Sequence, residues 1–457
     1  MTLPVITGLG VLGPWGAGAD ALARALAAGE APLTELDDPG VLAAGGGDGP
    51  PRLTLDPRVR RAGRVDREHL TPWLPAREGR RMSRPSRFAV AAARMALESA
   101  GCTTPEDGAD DLGVILSTTF GPTAVTEEML EQIFLTGPES ASPFLFAESV
   151  ANAPAAQVAR LLGARGANLT LTVREAGALA AVRRAAGEIA AGRSARMFAG
   201  VSDEVTPLLQ IVLDGLGSLA HGTASEPPRA RPFDRTRSGF VTAEGAAVLH
   251  LEDARAAAAR DARPLARIAG GGEAFDPTAP RCGWGDGHGL LGRALAAVLD
   301  RAGLGFGDLD LVVSGATGSP DGDRMEALTL RAAAAGGGGP LPDVAAGLPP
   351  VVAPKAVVGE LGGGHLAAAV LLLSGAGVDA VEAGAPGFRE PDPELGITPW
   401  GYRAVGPGGP ADSGVSGTGA RPRRILVQTV AAGGPAAWLI LERVPAFAAG
   451  PASEDRP

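Results

Sequence analysis

Residues 165–182 read RGANLTLTVREAGALAAV, and this stretch contains the local pattern that decides the fold. Its first part, ANLTLTV, has the β-branched and apolar content of a strand. A sharp turn follows at Glu175, after which alanine-rich sequence predicts a helix that ends at Gly192. Residues 196–201 and 246–253 then return as strands. The pattern therefore predicts a strand, a buried helix and further strands, with Glu175 at the start of the helix.

The C-terminal part of the chain repeats this plan. Helices are predicted at 290–302 and 325–335, and they alternate with strands near Arg267, at 310–316 and at 425–430. Because strands alternate with helices in both parts, the sequence predicts an α/β fold built by duplication.

The two predicted halves are residues 1–258, which contain the Glu175 turn, and residues 259–457. The second half includes a glycine-rich stretch at 406–420, which is predicted to be a flexible loop. The tail after Ala446 is predicted to fray, as chain ends without apolar anchors usually do.

The composition is that of a soluble globular protein, because 45% of the 457 residues are hydrophobic and 20% are charged. A net charge of −10 disfavours nucleic acid or an anionic membrane as partner, since both attract basic patches. The longest apolar run, Leu366 to Val378, is too short to span a bilayer, and the first residues show no basic region before an apolar one. We therefore expect a cytoplasmic protein that binds neither nucleic acid nor membrane.

A glycine motif near the start of the chain has the form of a nucleotide-binding fingerprint. Gly8, Gly10 and Gly13 have its spacing and follow a predicted strand. However, Pro14 and Trp15 come next, where the phosphate-binding helix of such a motif would already have begun. We therefore reject the nucleotide interpretation.

The sequence also lacks the spacing of a metal site. Cys102 and Cys282 show neither metal-binding nor redox spacing, which predicts free thiols without a functional role, in a reducing compartment. The histidines are scattered and form no HExxH-like pair. They are His69, His221, His250, His288 and His365. No metal is expected.

Basic residues are almost all arginine. The sequence contains 41 lysines and arginines, and Lys355 is the only lysine, which leaves 40 arginines. A lysine retained in such a chain is of interest, because arginine would serve wherever charge alone sufficed. One arginine run could dock an acidic carrier protein, although a solvated helix entry with local ion pairs is the simpler interpretation. The run comprises Arg77, Arg80, Arg81, Arg84 and Arg87.

Four further segments, together with residues 165–182, resemble the β-ketoacyl synthase family in sequence and in order. They are VITGLGVLGPWGAG (5–18), AREGRRMSRPSRFAVAAARMALESAG (76–101), RPFDRTRSGFVTAEGAAVLHLE (231–252) and RAGLGFGDLDLVVSGATGSPDGDRMEA (301–327). The resemblance runs from residue 3 to about residue 443 and is strongest to the chain-length factors, or ketosynthase β subunits, of type II polyketide synthases. It implies a thiolase-like fold in which two duplicated α/β halves form a five-layered αβαβα arrangement.

The resemblance identifies the positions at which active ketosynthases carry their catalytic side chains. Their nucleophilic cysteine lies in a pattern like TACxSG, and Glu175 stands at that position here. The first histidine opens a pattern like HGTxTPxxD, and Gly315 stands in its place. The second ends a KSxxGH pattern, where Lys355 is kept but Glu360 replaces the histidine. The gating phenylalanine of their GFGGTN motif corresponds to Ala432. The resemblance therefore implies a condensing site without its thiol, imidazoles and gate.

Lys355 needs a partner if it is buried, since an isolated buried ammonium is costly. The glutamate that usually holds this lysine in the family corresponds to Ala369 here. We therefore predict that Lys355 pairs with Glu175, Glu360 or both. The alternative is that these acids lie at solvated positions. Chain-length factors usually carry glutamine where this chain has Glu175, and an ionised glutamate there would repel a malonyl carboxylate.

The resemblance implies a non-catalytic subunit that heterodimerises with an active ketosynthase and shapes the polyketide tunnel. The growing chain would be carried on the phosphopantetheine of an acyl carrier protein, and no cofactor of the chain's own is expected. Two alternatives stay open. One is a malonyl-carrier-protein decarboxylase or acyltransferase variant that uses Glu175, Lys355 and Glu360. The other is a homodimeric acyl-binding scaffold.

Residues 121–149 are predicted to be rich in loops. The resemblance places residues around 120–146 near the subunit interface and the tunnel, and four phenylalanines there are either tunnel walls or ordinary core residues. They are Phe120, Phe134, Phe144 and Phe146.

Overall fold

The computed structural model of the chain describes residues 3–37, 41–42, 52–53, 55–104, 108–223, 225–336, 347–360, 362–375, 386–399 and 421–444. The loop predicted at 406–420 and the fraying predicted after Ala446 lie outside these residues.

Strands and helices alternate along the described chain. The strands are β1 (Pro4–Gly13), β2 (Gly16–Ala17), β3 (Thr34–Glu35), β4 (Val41–Leu42), β5 (Arg52–Leu53), β6 (Arg61–Ala62), β7 (Leu112–Ser117), β8 (Asn168–Leu171), β9 (Arg196–Asp203), β10 (Gly245–Asp253), β11 (Ala266–Phe275), β12 (Leu311–Ser314), β13 (Val351–Val352), β14 (Arg424–Val430) and β15 (Pro435–Glu442). The α-helices are α1 (Ala19–Ala28), α2 (Arg67–Leu70), α3 (Ala76–Gly79), α4 (Arg84–Ser99), α5 (Thr123–Thr136), α6 (Pro143–Ser149), α7 (Ala153–Leu162), α8 (Gly177–Ala190), α9 (Pro207–Gly215), α10 (Ala254–Ala259), α11 (His288–Arg301), α12 (Pro320–Ala334), α13 (Lys355–Val358) and α14 (Gly364–Ser374). Short 3₁₀ turns occur at Pro57–Val59, Pro138–Ser140, Arg174–Ala176 and Phe306–Asp308.

The same arrangement of strands occurs twice in the main sheet. The N-terminal half has the order β8-β7-β9-β10-β1, and the C-terminal half has the order β13-β12-β14-β15-β11. In each half the first three strands are parallel and the last three are antiparallel. The two halves meet where β1 pairs with β11, at Val5 opposite Arg267 and Ile6 opposite Ala266. This topology confirms the predicted duplicated α/β fold.

The helices add three layers to the two halves of the sheet. Helices α8 and α14 pack between the halves, where they share one apolar core with strands of both. Helices α4 and α7 cover the outside of the N-terminal half, and α11 and α12 cover the outside of the C-terminal half. The result is the predicted five-layered αβαβα arrangement of a thiolase-like fold.

Helix α14 contains most of the longest apolar run in the sequence. Apart from His365 and Ser374 its residues are glycine or apolar, as expected for a helix enclosed by protein, and all but the last are buried. In the ranges that the structure describes, each helix is too short or too polar to cross a membrane.

Gly8 and Gly10, which belong to the nucleotide-like glycine motif, allow α4 to pack closely against β1. A Cβ at Gly8 would lie 2.0 Å from the Ala96 carbonyl oxygen, and one at Gly10 would lie 1.8 Å from that of Ala92. Both carbonyls belong to α4, so these positions admit only glycine where the helix lies directly on β1. The helix itself begins after Ser83, whose hydroxyl accepts a hydrogen bond from the Ser86 N–H at 3.3 Å.

The prediction that residues 121–149 are rich in loops is wrong. They form α5 and α6, joined by a 3₁₀ turn. No side chain of α5 is buried, so the helix lacks the apolar stripe by which a packed helix is recognised in a sequence.

Candidate functional site

Glu175 lies at the predicted elbow between β8 and α8. The preceding residue, Arg174, has a φ of 52°, a left-handed conformation that is strained for a side chain other than glycine. Its guanidinium donates a hydrogen bond to the Arg281 carbonyl oxygen at 2.9 Å. On the other side of Glu175, a Cβ at Gly177 would lie 2.8 Å from Ser117, so α8 begins in close contact with β7. These constraints hold Glu175 at the N-terminal end of a buried helix.

The Glu175 carboxyl group is not a simple surface anion. Its Oε2 accepts a hydrogen bond from the Ala432 N–H at 3.2 Å, so the residue at the gate position is joined to the elbow through its backbone. Burial, followed by the nearby Glu360 carboxylate, raises the pKa of Glu175 to about 7. A protonated Glu175 can donate a hydrogen bond as a glutamine amide does, whereas the ionised form only accepts.

Lys355 and Glu360 form a buried ion pair. The ammonium nitrogen lies 2.8 Å from Oε2 and 3.0 Å from Oε1 of Glu360, and the two side chains are only 3% and 5% exposed. The Glu360 backbone is fixed as well, since its N–H donates to Val241 at 2.8 Å and its carbonyl accepts from Ala243 at 2.7 Å. The predicted pairing is confirmed for Glu360, and the solvated alternative is wrong for this residue. Glu175 acts on the pair through its charge rather than through a direct bond to Lys355.

The positions named from the resemblance meet at one pocket. Glu175, Gly315 and Glu360 line it, together with aromatic and loop residues that include Phe240 and Trp284. Its volume is about 10 Å³, which is room for roughly one water molecule. Lys355 lies on the far side of Glu360 and does not line this pocket.

Gly315 stands where the backbone leaves no room for a side chain. A Cβ there would lie 2.8 Å from Thr429 Oγ1 and 3.0 Å from the Gln428 carbonyl oxygen. The contact with Thr429 is shorter than real Cβ atoms show, and the contact with Gln428 is tighter than nearly all of them. An imidazole at this position would therefore require β14 to move.

Asp323 holds the loop that follows Gly315. Its Oδ1 accepts hydrogen bonds from the N–H groups of Thr317 at 2.9 Å and Gly318 at 3.1 Å, and its Oδ2 accepts one from Phe233 at 2.8 Å. Complete burial raises the pKa of Asp323 to about 7 in spite of these bonds. Because these bonds are all to backbone groups, we assign Asp323 to the structure of the loop.

One imidazole that no sequence motif predicts lies near the site. His365 is buried in α14, and its Nε2 lies 3.0 Å from Thr429 Oγ1, the atom that crowds Gly315. Burial and then the Lys355 charge lower the pKa of His365 well below its usual value, so the ring is neutral. His365 was set aside as one of several scattered histidines. Only the fold brings α14 and β14 together, and no spacing in the sequence signals it.

One cluster in the described chain has metal-ligand side chains close together. Potential ligand atoms of Cys102, His250 and Glu252 lie within 4.8 Å of one another. However, the Thr7 hydroxyl already lies 2.9 Å from His250 Nδ1 and donates to Glu252 at 2.5 Å. The Arg260 guanidinium also donates to both Glu252 oxygens. A fixed positive charge opposes cation binding, so the cluster fits an ion pair better than a metal site.

The arginine run divides into two groups. Arg84 donates to Glu244 at 3.1 Å, and Arg87 donates to a backbone carbonyl of α3 at 2.9 Å, so these two serve the local structure. The remaining three are exposed: Arg77, Arg80 and Arg81. Docking of a carrier protein on these three stays a prediction.

The four phenylalanines of residues 120–146 are not core residues, so that alternative is wrong. Their exposed fractions are 41% for Phe120, 80% for Phe134, 61% for Phe144 and 63% for Phe146. Leu135, which is 64% exposed, extends the apolar area on α5. Arg81 covers part of it, with its guanidinium carbon 4.6 Å from the centre of the Phe144 ring. We call the exposed apolar residues of α5 and α6 the phenylalanine surface.

The duplicated fold agrees with the proteins to which this chain is similar. The chain belongs to the β-ketoacyl synthase family, since residues 4–257 match the family model described as beta-ketoacyl synthase, N-terminal domain. The family predicted from the motifs is thereby confirmed.

Two relatives and one solved structure are similar to this chain over most of its length. The granaticin polyketide putative beta-ketoacyl synthase 2 of Streptomyces violaceoruber is 33% identical over 386 residues, which cover 81% of this chain and 83% of that protein. The actinorhodin polyketide putative beta-ketoacyl synthase 2 of Streptomyces coelicolor is 31% identical over 68% of this chain and 74% of that protein. Among solved structures, the ishigamide ketosynthase/chain length factor matches with a TM-score of 0.77 and 26% identity, over 97% of this chain and all of that one.

Proposed function

We propose that this chain is a non-catalytic, chain-length-factor-like subunit that pairs with an active ketosynthase in type II polyketide biosynthesis and shapes the polyketide tunnel. The observation that carries the proposal is the pocket at Glu175. A carboxyl group stands where a condensing enzyme needs a thiolate, and the space beside it, about 10 Å³, holds roughly one water molecule. Carbon–carbon bond formation then takes place in the partner.

The phenylalanine surface supports a protein partner. Exposed apolar side chains in this number on two adjacent helices are unusual on a chain that stays alone. The similarity to the ishigamide ketosynthase/chain length factor suggests a ketosynthase as that partner. The net charge of −10 favours docking of an acidic acyl carrier protein on the partner rather than on this chain.

The test is to purify the chain alone and after co-expression with a ketosynthase subunit that has an intact cysteine and two histidines. We expect the chain alone to extend no acyl group on a carrier protein, and the co-expressed pair to elute as one complex that does. Extension by the purified chain alone would overturn the proposal. If the chain instead forms a stable homodimer and does not bind the ketosynthase, the result would favour a function as a homodimeric acyl-binding scaffold.

One observation favours a second candidate, a malonyl-carrier-protein decarboxylase. Because the pKa of Glu175 is raised to about 7, a protonated Glu175 supplies the hydrogen bond that glutamine supplies in the usual elbow. Carbon dioxide release from malonyl carrier protein by the purified chain tests this. The activity should survive Glu175→Gln and be lost in Glu175→Ala; if the wild-type chain releases no carbon dioxide, this candidate is wrong.

A further inference from the structure

A second cavity lies behind the buried ion pair. Its volume is about 220 Å³, somewhat below the range of about 300–1,000 Å³ typical of sites for drug-sized molecules. Lys355 and Gly359 form part of its wall, and Arg61, Arg229 and Glu30 lie around it. The cavity therefore suits a small ligand, and it brings the chain's only lysine together with two arginines.

A thin wall separates this cavity from the Glu175 pocket. Phe240 lines the pocket, whereas Val241 and Ala243 of the same extended segment line the cavity. Val241 and Ala243 also make the backbone hydrogen bonds that fix Glu360, which lines the pocket. Lys355 belongs to the lining of the cavity and Glu360 to the lining of the pocket, so their ion pair links a residue of one space to a residue of the other.

The charges around the cavity favour an anion. Three cationic residues line it against one carboxylate, Glu30, although the whole chain carries a net charge of −10. Among the residues that the structure describes, no carboxylate lies within ion-pair distance of Arg61 or Arg229. A concave site lined by one sign of charge concentrates ions of the other sign, and guanidinium groups match carboxylates and phosphates in shape.

We propose that this cavity binds a small anion, a carboxylate or a phosphate, through Arg61 and Arg229. The Lys355 ammonium is almost completely buried against Glu360, so the bound anion acts on it through charge rather than contact and weakens the attraction of Lys355 for that carboxylate. Because Glu360 acts electrostatically on Glu175, occupancy of the cavity changes the protonation of the pocket without contact between the two ligand sites. The inference does not depend on whether the chain pairs with a ketosynthase.

The single lysine provides a direct probe. Labelling the full chain with lysine that carries ¹⁵N at Nζ gives one side-chain ammonium signal, that of Lys355. Inorganic phosphate and malonate are titrated separately at constant ionic strength, with chloride as the reference anion. We expect a saturable shift of the Lys355 signal with phosphate, malonate or both, and none with chloride. The anion that shifts it at the lower concentration identifies the ligand chemistry.

Variants decide whether the cavity is the binding site. The double variant Arg61→Gln, Arg229→Gln should weaken binding at least about tenfold, since it removes both guanidinium contacts. Arg24→Gln is the control, because Arg24 is exposed on α1 and does not line the cavity. Thermal unfolding with and without each anion gives a second readout, in which binding raises the midpoint. No saturable effect in either readout, or equal effects on wild type and double variant, would overturn the proposal.

Discussion

The Lys355 ammonium lies 2.8 Å and 3.0 Å from the two carboxylate oxygens of Glu360, in a place where both side chains are almost completely buried. Moving two charges out of water is costly, and their attraction offsets that cost only while both are present. Each residue therefore depends on the other. This ion pair occupies the position at which a condensing enzyme would need a lysine followed by a neutral imidazole.

Removal of one partner should destabilise the fold more than removal of both. Glu360→Gln leaves an unpaired buried ammonium, so we expect the free energy of unfolding to fall by about 3–5 kcal/mol. Adding Lys355→Met to that variant should recover part of the loss. Urea unfolding measures the free energy of unfolding of both variants. Glu273→Gln is the control: it breaks the Glu273–Arg183 ion pair, which is about 40% exposed, and should lower the free energy of unfolding by under about 1 kcal/mol. Equal losses in Glu360→Gln and the control would contradict the prediction.

The raised pKa of Glu175 should make stability depend on pH. An acid with a pKa of 4.5 when unfolded and about 7 when folded keeps its proton in the folded state longer than in the unfolded state. Its contribution is therefore most favourable below pH 4.5 and is lost as the pH rises to about 7. We expect Glu175→Gln to be more stable than wild type by roughly 1–3 kcal/mol at pH 8, and by little at pH 5.

Urea unfolding across that pH range measures this difference. The exposed Glu139 gives the matched control, Glu139→Gln, which should differ from wild type by the same small amount at every pH. A gap between wild type and Glu175→Gln that stays constant with pH would rule out the raised pKa.

A side chain at Gly315 should destabilise the fold. Gly315→Ala places a Cβ 2.8 Å from Thr429 Oγ1, so we expect a loss of about 1–3 kcal/mol in the free energy of unfolding. The control is Gly187→Ala in α8, where a Cβ meets nothing within 4 Å and helix propensity predicts a gain of about 0.5–1 kcal/mol. Thermal or urea unfolding distinguishes the two. If Gly315→Ala were as stable as wild type, the crowding inferred at β14 would be wrong.

The phenylalanine surface should be required for the partner and not for the fold. Phe134→Asp and Phe144→Asp replace exposed apolar groups with charges, so each should leave the chain folded but weaken the ketosynthase complex at least about tenfold. Leu290→Asp on α11 is the control, since Leu290 is an exposed apolar residue on the opposite outer layer. Co-elution in gel filtration and a binding titration measure the effect. If both phenylalanine variants bind the ketosynthase as tightly as wild type does, the phenylalanine surface is not part of the interface.

Much of the fold followed from local pattern. Strands β7 and β9 are runs of apolar residues that local periodicity recognises, and the turn at Glu175 is visible where a strand meets alanine-rich helix sequence. Helix α5 was missed because none of its side chains is buried, and periodicity detects a helix only through its buried face. Pairing of β1 with β11, and with it the continuity of the sheet across both halves, is a contact between distant segments that no local pattern contains.

The sequence by itself determined which side chains are present at the site: an acid at 175, a glycine at 315, and a lysine and an acid at 355 and 360. Only the tertiary structure decided the pKa, the pairing and the steric surroundings of these residues. Burial and a neighbouring carboxylate raise the pKa of Glu175, contact with Lys355 makes Glu360 an ion-pair partner, and Thr429 crowds the space beside Gly315. The physical reason is that desolvation, charge and steric contact depend on distances between segments far apart in the chain.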